Sequence, residues 1–279
     1  MPQLKHPLPP NRTLEQVWNH YQVEAALAQR LKAADRDGRR HIFETMYDEL
    51  FAAVPDHPRL TQRDGEELTA EANRAKMNLL RRWIDKTSLV VEFAPGDCEF
   101  AAAVAPHVRR VMGVDISDQR PAARRWPDNF ELIVYDGFSL PSIPQASVDV
   151  IFSHQFIEHL HPEDTISHLR LAHSILKPGG CYVIHTPHAA SGPWDVSRYF
   201  CDNPEGFHLK EWTYGELRRC LRDIGFSRVE AVVAKRGLNF NMPYTYFTAT
   251  EAMLRAVGRT TARRIAHRLI PDLMCVAYK

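Results

Sequence analysis

The spacing of apolar residues divides the chain into two parts with different periods. Over roughly the first 85 residues, apolar positions recur every three or four residues, which is the period of an amphipathic helix. This pattern predicts three helices, over about 13–32, 39–54 and 68–84. Thr13 suits the N-cap of the first helix, and the two prolines of VPDHP end the second. These helices are expected to form an N-terminal cap or lid over residues 1–85.

Beyond residue 86 the pattern changes to short, continuous apolar runs separated by helical stretches. Such runs are typical of strands in a parallel sheet that helices cover on both faces. Seven strands are predicted, near 89–94, 110–115, 130–135, 148–153, 181–186, 228–234 and 272–278. Helices are predicted at about 163–176 and 213–224, and a helical insert at about 236–271. The prediction is an α/β fold, a doubly wound, seven-stranded Rossmann-like sheet over 86–279 with the helical cap in front.

Composition narrows the classes of partner. The 279 residues carry a formal net charge of +1, so no nucleic-acid partner is expected. No apolar run reaches the ~18 residues of a membrane span, and the start MPQLKHPLPPNRT lacks the apolar stretch of a signal peptide, so no stable membrane insertion is expected. The cysteines form no CxxC and are expected to be reduced thiols of a cytoplasmic protein: Cys98, Cys181, Cys201, Cys220 and Cys275.

The segment VVEFAPGDCEF, residues 90–100, joins the first predicted strand to a helix. In a doubly wound sheet such a loop lies at the carboxyl ends of the strands, where ligands bind. Its one glycine, Gly96, lets the backbone approach a ligand closely, but the G-x-G-x-x-G pattern of dinucleotide sites is missing. Asp115 ends the second strand in GVDIS and suits the hydroxyls of a ribose, and Asp136 in YDGF is predicted to accept from an adenine amino group. Together these segments predict a nucleoside-type cofactor.

In this order the segments resemble a class I S-adenosylmethionine-dependent methyltransferase. EFAPGDC resembles the family's first motif with Glu92 and Gly96 kept, while GVDIS and YDGF resemble its ribose-side and adenine-side segments. SVDVIFSHQFIEHL and LKPGGCYVIHTP resemble the fourth-strand and fifth-strand segments. The resemblance covers about 88–234 and the last strand, and it implies S-adenosyl-L-methionine as the cofactor. The cofactor-binding residues that it implies are Glu92, Ala94, Pro95, Gly96, Asp115, Ile116, Asp136, Gly137, Phe138, Ser153, His154 and Gln155.

Candidates for the chemistry follow the fourth strand, in SHQFIEHLHPED. In methyl transfer the protein aligns the acceptor and removes a proton where the acceptor is a hydroxyl or an ammonium group. In the sugar and natural-product O-methyltransferases that this segment resembles, a histidine in the position of His159 is the general base, and an ordinary pKa near ~6.5 suits that task. His154 and Glu158 are the other catalytic candidates. The alternative is a structural Glu158 and His159 pair that holds the loop.

Histidines are concentrated in the same part of the chain. Eight of the fourteen lie between His154 and His208, with His161 close to the catalytic candidates and with His185 and His188 beside the fifth strand. They form no H-E-x-x-H pattern, and no cysteine pairs with them. No bound metal is therefore expected.

An acceptor pocket is predicted in residues 192–217, after the fifth strand, where the family usually places residues that contact the acceptor. Arg198 would suit a carboxylate or phosphate, and the neighbouring rings would suit a sugar or an aromatic group. The predicted substrate residues of this segment are Trp194, Arg198, Tyr199, Phe200 and His208. Trp18, Tyr21 and Tyr47 of the cap are expected to cover the same mouth as a lid. The alternative is an ordered loop that packs on the sheet edge.

A locally basic stretch, residues 251–270, lies in the predicted insert. Its arginines are Arg255, Arg259, Arg263, Arg264 and Arg268, and Glu251 is its only acid. Two interpretations stay open: a solvated helix face, or a surface that meets an acidic acceptor, a partner or a second protomer. Self-association as a homodimer is open for the same reason.

The sequence thus predicts a cytoplasmic biosynthetic enzyme that methylates a small-molecule acceptor, with a hydroxyl first in order, in natural-product or glycan metabolism. Three alternatives stay open. The first alternative is a methyltransferase that acts on a protein or nucleic acid. The second is a cyclopropane-synthase-like enzyme that acts on lipid, and the third is a cofactor-binding module without chemistry.

Overall fold

The structure is a computed structural model that describes residues 3–61, 66–122, 124–235 and 238–279. Four helices come first, α1 (Leu14–Ala33), α2 (Arg36–Ala53), α3 (Pro58–Thr61) and α4 (Glu66–Leu80). The N-cap prediction for Thr13 is confirmed, because its side chain accepts from the Gln16 amide while the Gln16 side chain accepts from the Thr13 amide. No helix in the described ranges combines the length and the apolarity that crossing a bilayer requires.

Strands and helices alternate in the rest of the chain. The strands are β1 (Leu89–Phe93), β2 (Arg110–Asp115), β3 (Phe130–Val134), β4 (Val148–His154), β5 (Leu176–Pro187), β6 (Arg228–Lys235), β7 (Leu238–Met242) and β8 (Asp272–Tyr278). The helices are α5 (Glu99–Val104), α6 (Pro162–Ile175), α7 (Tyr214–Ile224), α8 (Tyr244–Arg255) and α9 (Arg259–Leu269). Short 3-10 helices follow α5, β4 and β5, at Ala105–His107, Ile157–His159 and Val196–Tyr199.

The strands form one sheet in the order β3-β2-β1-β4-β5-β8-β6-β7. Strands β1 to β5 are parallel, and β8 runs antiparallel between β5 and β6. The strand order reverses between β1 and β4, and ligands bind at such a switch point in doubly wound sheets. The loops after β1, β2 and β4 therefore come together at one edge.

The seven predicted strands are present, and an eighth, β7, was not predicted. It pairs antiparallel with β6 inside the segment 236–271 that was predicted to be helical, and residues 236–237 of that segment lie outside the described residues. Alternation of Leu238 and Phe240 with Asn239 is the period-two signal of a half-exposed edge strand, but five residues are too few for it to stand out. The rest of the insert is helical, as α8 and α9.

Helices cover both faces of the sheet, and neighbouring residues of β1 face opposite sides. Val91 packs with residues of α6 and α7, and Val90 packs with residues of α5 and with Leu80 at the end of α4. Helix α4 therefore belongs to the layer on the sheet, whereas α1 and α2 pack on each other. Their joint cluster contains Leu27, Leu31, Met46, Leu50, Val54, Phe207 and Leu209. The predicted boundary at residue 85 thus falls after a helix that packs on the core.

Candidate functional site

A cavity of about 1430 Å³ lies at the carboxyl ends of β1, β2 and β4. Ligand pockets usually measure ~300–1,000 Å³, so this one has room for a cofactor together with an acceptor. Of the predicted cofactor-binding residues, those that line it are Ala94, Pro95, Gly96, Asp115, Ile116, Gly137, Phe138, His154 and Gln155. The opposite wall comes from α2 and α4, through Phe43, Met46, Tyr47, Thr69, Ala70, Asn73 and Lys76.

The loop after β1 has an unusual backbone. Ala94, Gly96 and Cys98 have φ angles of 55°, 59° and 62°, in the left-handed region that residues with a side chain rarely adopt. Hydrogen bonds hold this conformation: the Ala94 amide donates to the Val114 carbonyl at 2.8 Å, and the Gly96 amide donates to Asp115 Oδ2 at 3.1 Å. A Cβ on Gly96 would meet nothing within 4 Å, so the glycine is required by its φ angle and leaves open space toward the cavity.

Asp115 joins this loop to the end of β2. Its carboxylate accepts from the Gly96 amide and, at 2.7 Å, from the Ile116 amide. The side chain is buried, and burial raises the pKa of Asp115 although these backbone hydrogen bonds oppose the change. The carboxylate therefore lines the cavity at the position where the sequence predicted a ribose contact.

The contact of Asp136 with an adenine amino group stays a prediction. Asp136 is not among the lining residues, and its carboxylate accepts from the amides of Phe138 (2.9 Å) and Ser139 (2.7 Å). Arg40 of α2 forms an ion pair with it at 2.9 Å. Burial alone would raise the pKa of Asp136, but the hydrogen bonds outweigh burial and lower it. Gly137 and Phe138, the next two residues, line the cavity.

Glu92 and Ser153 lie behind the lining residues. Glu92 is 4 % exposed, and its Oε2 atom has no hydrogen-bond partner in the described part of the chain. Burial raises the pKa of Glu92 to about 7. Ser153 is fully buried and accepts a hydrogen bond from the Tyr182 hydroxyl at 2.9 Å. Both residues are therefore buried behind the cavity and do not line it.

His159 lines the cavity from the short helix after β4. Its Nδ1 atom lies 3.0 Å from the carbonyl oxygen of Phe207. Because a carbonyl oxygen can only accept, Nδ1 carries the hydrogen and Nε2 keeps its lone pair. Burial lowers the pKa of His159 to about 3, and His208 and Arg59 act in the same direction. The side chain is therefore a neutral imidazole at pH 7 with one free acceptor nitrogen.

His154 and Gln155 line the cavity at the end of β4. The His154 ring stacks on His185 with centroids 4.8 Å apart, and burial, with a smaller effect of His185, lowers the pKa of His154 to about 3. The Gln155 backbone has a φ of 54°, and its amide donates to the His185 carbonyl at 2.9 Å. This positive φ turns the chain sharply from the strand toward the catalytic candidates.

Glu158, the third catalytic candidate, does not line the cavity. It is fully buried, and its Oε2 atom accepts from the Thr186 hydroxyl at 2.8 Å. Burial raises the pKa of Glu158 to about 7. The catalytic role of Glu158 stays a prediction.

The seven predicted substrate residues are not among the residues that line this cavity, and their contact with an acceptor stays a prediction. The rings of Trp18 and Phe200 pack at 4.9 Å and those of Trp18 and Tyr21 at 5.2 Å, in a cluster that holds α1 on the loop after β5. Trp194 and Tyr199 flank the Arg198 guanidinium, at 5.4 and 5.9 Å from its carbon. His208 forms a hydrogen-bonded pair with Glu211 at 2.8 Å.

Of the three predicted lid rings, only Tyr47 lines the cavity. Sequence reasoning missed its neighbours Phe43 and Met46, and also Asn73 and Lys76 of α4. A signal was present, because residues 43, 46 and 47 have the i, i+3, i+4 spacing of one helix face. That spacing also fits core packing, so it does not by itself identify a wall of a site.

Two groups of side chains in the described ranges have the composition of a metal site. They are His20, Glu24 and His57, and Glu158, His159 and His208, with ligand atoms within 4.8 Å of one another. Hydrogen bonds account for the first group, since His20 lies 2.8 Å from Glu24 and also contacts Arg12. The second group includes the buried Glu158 Oε1, which has no partner among the described residues. The expectation of no metal stays a prediction.

This chain is similar in sequence to known methyltransferases. Residues 62–231 match a family model described as "Methyltransferase domain". A probable S-adenosylmethionine-dependent methyltransferase of Mycolicibacterium smegmatis is 31% identical over 137 residues, 49% of this chain and 51% of that protein. One of Mycobacterium tuberculosis is 32% identical over 139 residues, 49% of this chain and 48% of that protein. The chain thus spans about half the length of the curated relatives it matches.

Solved structures share the fold. A SAM-dependent methyltransferase from Archaeoglobus fulgidus superposes with a TM-score of 0.52 at 20% identity, covering 75% of this chain and 94% of that chain. A complex between the Haloferax volcanii Trm112 methyltransferase activator and a methyltransferase gives a TM-score of 0.52 at 20% identity, with 76% and 94% covered. At this identity the likeness concerns the architecture alone.

Proposed function

This chain belongs to the methyltransferase-domain family of class I S-adenosylmethionine-dependent enzymes, and on that premise we propose that it methylates a hydroxyl of a small-molecule acceptor. S-adenosyl-L-methionine is the cofactor of this family. One observation carries the proposal: the neutral imidazole of His159 lines the same cavity as Gly96 and Asp115. The candidate general base and the loop expected to bind the nucleoside of the cofactor thus line the same cavity.

The residues present fit that cofactor. Gly96 leaves open space beside the loop, and the unpartnered Oε2 of Glu92 offers an acceptor beneath it. Asp115 would hold the ribose hydroxyls, because its carboxylate lines the cavity and the Gly96 and Ile116 amides fix its orientation. Ile116, Gly137 and Phe138 would enclose the adenine, and His154 and Gln155 would lie toward the methionine end. When bound, S-adenosylmethionine supplies a methyl group that its sulfonium activates for displacement.

The part of His159 is to take the proton that the acceptor hydroxyl loses as its oxygen gains the methyl group. Nε2 accepts this proton, while the Nδ1–H···O hydrogen bond to the Phe207 carbonyl keeps the ring oriented and supports the imidazolium that forms. Burial lowers the pKa of His159 to about 3, so the ring carries no proton before the acceptor arrives, but it is a weaker base than an ordinary imidazole with a pKa of ~6.5. The ring therefore takes the proton together with methyl transfer, because an oxygen that gains a methyl group becomes strongly acidic. The proton then passes to water when the product leaves.

A small acceptor is favoured by the walls of the cavity. Phe43, Met46 and Tyr47 of α2 line the cavity opposite the strand ends, so an acceptor would lie between two layers. Holding the acceptor between them would align the reacting atoms, which is the main contribution that a protein makes to a displacement reaction. We place the reaction in cytoplasmic small-molecule biosynthesis, in keeping with five free cysteines.

The proposal is tested with the purified chain, S-adenosylmethionine and a panel of hydroxylated acceptors. Formation of S-adenosylhomocysteine together with a methylated product in mass spectrometry supports it. Methylation confined to nitrogen or carbon acceptors would overturn the assignment to hydroxyls. Transfer only to protein or nucleic acid would overturn the small-molecule assignment.

A further inference from the structure

A second cluster of cations lies away from the cavity, between α9 and the loop after β5. Arg263 and His267 are four residues apart and share one face of α9. The Trp194 ring lies 5.1 Å from the His267 ring and 5.4 Å from the guanidinium carbon of Arg198. His6 from the N-terminal segment completes the set, because its pKa responds to all three of these cations. We call Arg198, Arg263, His267 and His6 the cationic cluster.

Two half-buried guanidinium groups of the cationic cluster have a buried Nε atom without a hydrogen-bond partner in the described part of the chain. The Nε atoms of Arg198 and Arg263 are buried, and neither side chain forms a hydrogen bond or ion pair with another residue in the described ranges. Arg39 shows the contrast: at 2 % exposed, it donates to Asp164 at 2.6 and 2.9 Å and to the Ala34 carbonyl at 2.7 Å. A buried N–H group without an acceptor costs stability, so an anion that accepts from these two Nε–H groups would stabilise the cationic cluster.

Asp202 and Glu211 act on Arg263 through their charges, but the hydrogen bonds and ion pairs of both acids in the described ranges are with other groups. Asp202 forms an ion pair with Lys5 at 2.5 Å. Glu211 accepts from the Trp194 amide at 2.7 Å and pairs with His208 at 2.8 Å. Asp272, at the start of β8, acts on His267 only through its charge.

The cations also act on one another. Burial, and then repulsion from Arg198, lowers the pKa of Arg263. Burial, Arg263 and Arg198 together lower the pKa of His267 and of His6. Asp202, Glu211 and Asp272 offset part of this repulsion, and a bound anion would offset more of it.

We propose that the cationic cluster is an oxyanion site that binds the phosphate group of a small ligand, free or as an ester. Arg198 and Arg263 approach from different elements, and guanidinium N–H groups match the oxygens of a phosphate in pairs. The Trp194 ring between Arg198 and His267 offers an apolar wall for the organic part of an ester. No member of the cluster lines the cavity, so this site is separate from the one assigned to methyl transfer.

Phosphate binding is measured by calorimetry with inorganic phosphate and with glycerol 3-phosphate, at constant ionic strength set with chloride. Constant ionic strength is needed because any anion screens exposed cations. Arg198→Gln and Arg263→Gln should each weaken binding about tenfold or more, since each removes hydrogen bonds to a charged group. Arg264→Gln is the matched control, because Arg264 is the next residue of α9 and is exposed. Tighter binding of the ester would identify the ligand as an organic phosphate, and equal binding would identify free phosphate.

Melting temperatures give an independent readout. Without phosphate, Arg263→Gln should melt at the same or a higher temperature than the parent, because it removes an unpaired, repelled cation. Phosphate should raise the melting temperature of the parent and of Arg264→Gln but not of Arg263→Gln. Failure of the parent to bind either probe at millimolar concentration would overturn the proposal. Equal binding by all variants, or a lower melting temperature of Arg263→Gln in phosphate-free buffer, would do the same. None of these outcomes depends on methyl transfer.

Discussion

The Nδ1 atom of His159 lies 3.0 Å from the carbonyl oxygen of Phe207, 48 residues further along the chain. The Phe207 amide in turn donates to Glu24 of α1 at 3.2 Å. Asp195 accepts from the amides on either side of Phe207, those of Gly206 at 2.9 Å and His208 at 3.3 Å. The tautomer of the proposed base is therefore set by a peptide that two buried carboxylates hold in place.

His159→Ala should reduce kcat by about 10²–10⁴-fold, the usual contribution of a positioned general base. Affinity for S-adenosylhomocysteine should change little, because the Nε2 atom is assigned to the acceptor. Steady-state kinetics and calorimetry measure the two effects. His154→Ala is the comparison, since His154 lines the same cavity. A large loss in His154→Ala with a loss of less than a few-fold in His159→Ala would exchange the two roles.

Asp115→Ala should weaken binding of S-adenosylhomocysteine by about 1–3 kcal/mol, the cost of losing hydrogen bonds to a charged group. Part of the loss would come from the loop, because the Gly96 amide loses its acceptor as well. Asp128→Ala is the control, as Asp128 is exposed beyond β2. Calorimetric affinities that are equal in the parent and Asp115→Ala would remove the ribose assignment.

Glu24→Gln should lower kcat while cofactor affinity stays the same, because Glu24 positions His159 only through Phe207. Burial alone would raise the pKa of Glu24, but hydrogen bonds from His20 and His57 outweigh burial and hold it at about 2. The charged form is thus favoured by folding, and its stabilising effect is full above the ordinary pKa of 4.5 and lost as pH falls toward 2.

Urea unfolding checks this sign. The free energy of unfolding of the parent should exceed that of Glu24→Gln by about 1–3 kcal/mol at pH 7 and by less at pH 3.5. Exposed Glu44 of α2 provides the control Glu44→Gln. A difference that grows as pH falls, or an unchanged kcat, would contradict the positioning role.

Glu92→Gln should stabilise the protein at alkaline pH. The pKa of Glu92 is about 7 in the folded chain against an ordinary 4.5, so the folded state binds the proton more tightly between these values and the parent loses stability as pH rises. A neutral amide avoids that loss, which amounts to about 3 kcal/mol above pH 7. Unfolding in urea at pH 5 and pH 8 measures it, with exposed Glu131→Gln as the control. An equal pH dependence in the parent and Glu92→Gln would show that this carboxyl is already charged at neutral pH.

The sequence by itself determined the positions of most strands and of the cofactor loop, because both follow from residues that are close together in the sequence. Continuous apolar runs marked β1 to β6 and β8, and the turn at Gly96 and the acid at Asp115 stand at strand ends that any doubly wound sheet brings together. The pattern did not predict β7, because five residues in which Leu, Phe and Met alternate with Asn are too short a signal.

The tertiary structure decided which rings and charges face the cavity. Trp18 and Tyr47 are both aromatic residues of helices, yet the packing of α1 on the loop after β5 places Trp18 against Phe200, while Tyr47 of α2 lines the cavity at the strand ends. Arg263 and Arg264 are adjacent in sequence, but one faces Arg198 and the other faces solvent. Helix periodicity shows which residues share a face, whereas the neighbour of that face follows from contacts between segments far apart in sequence.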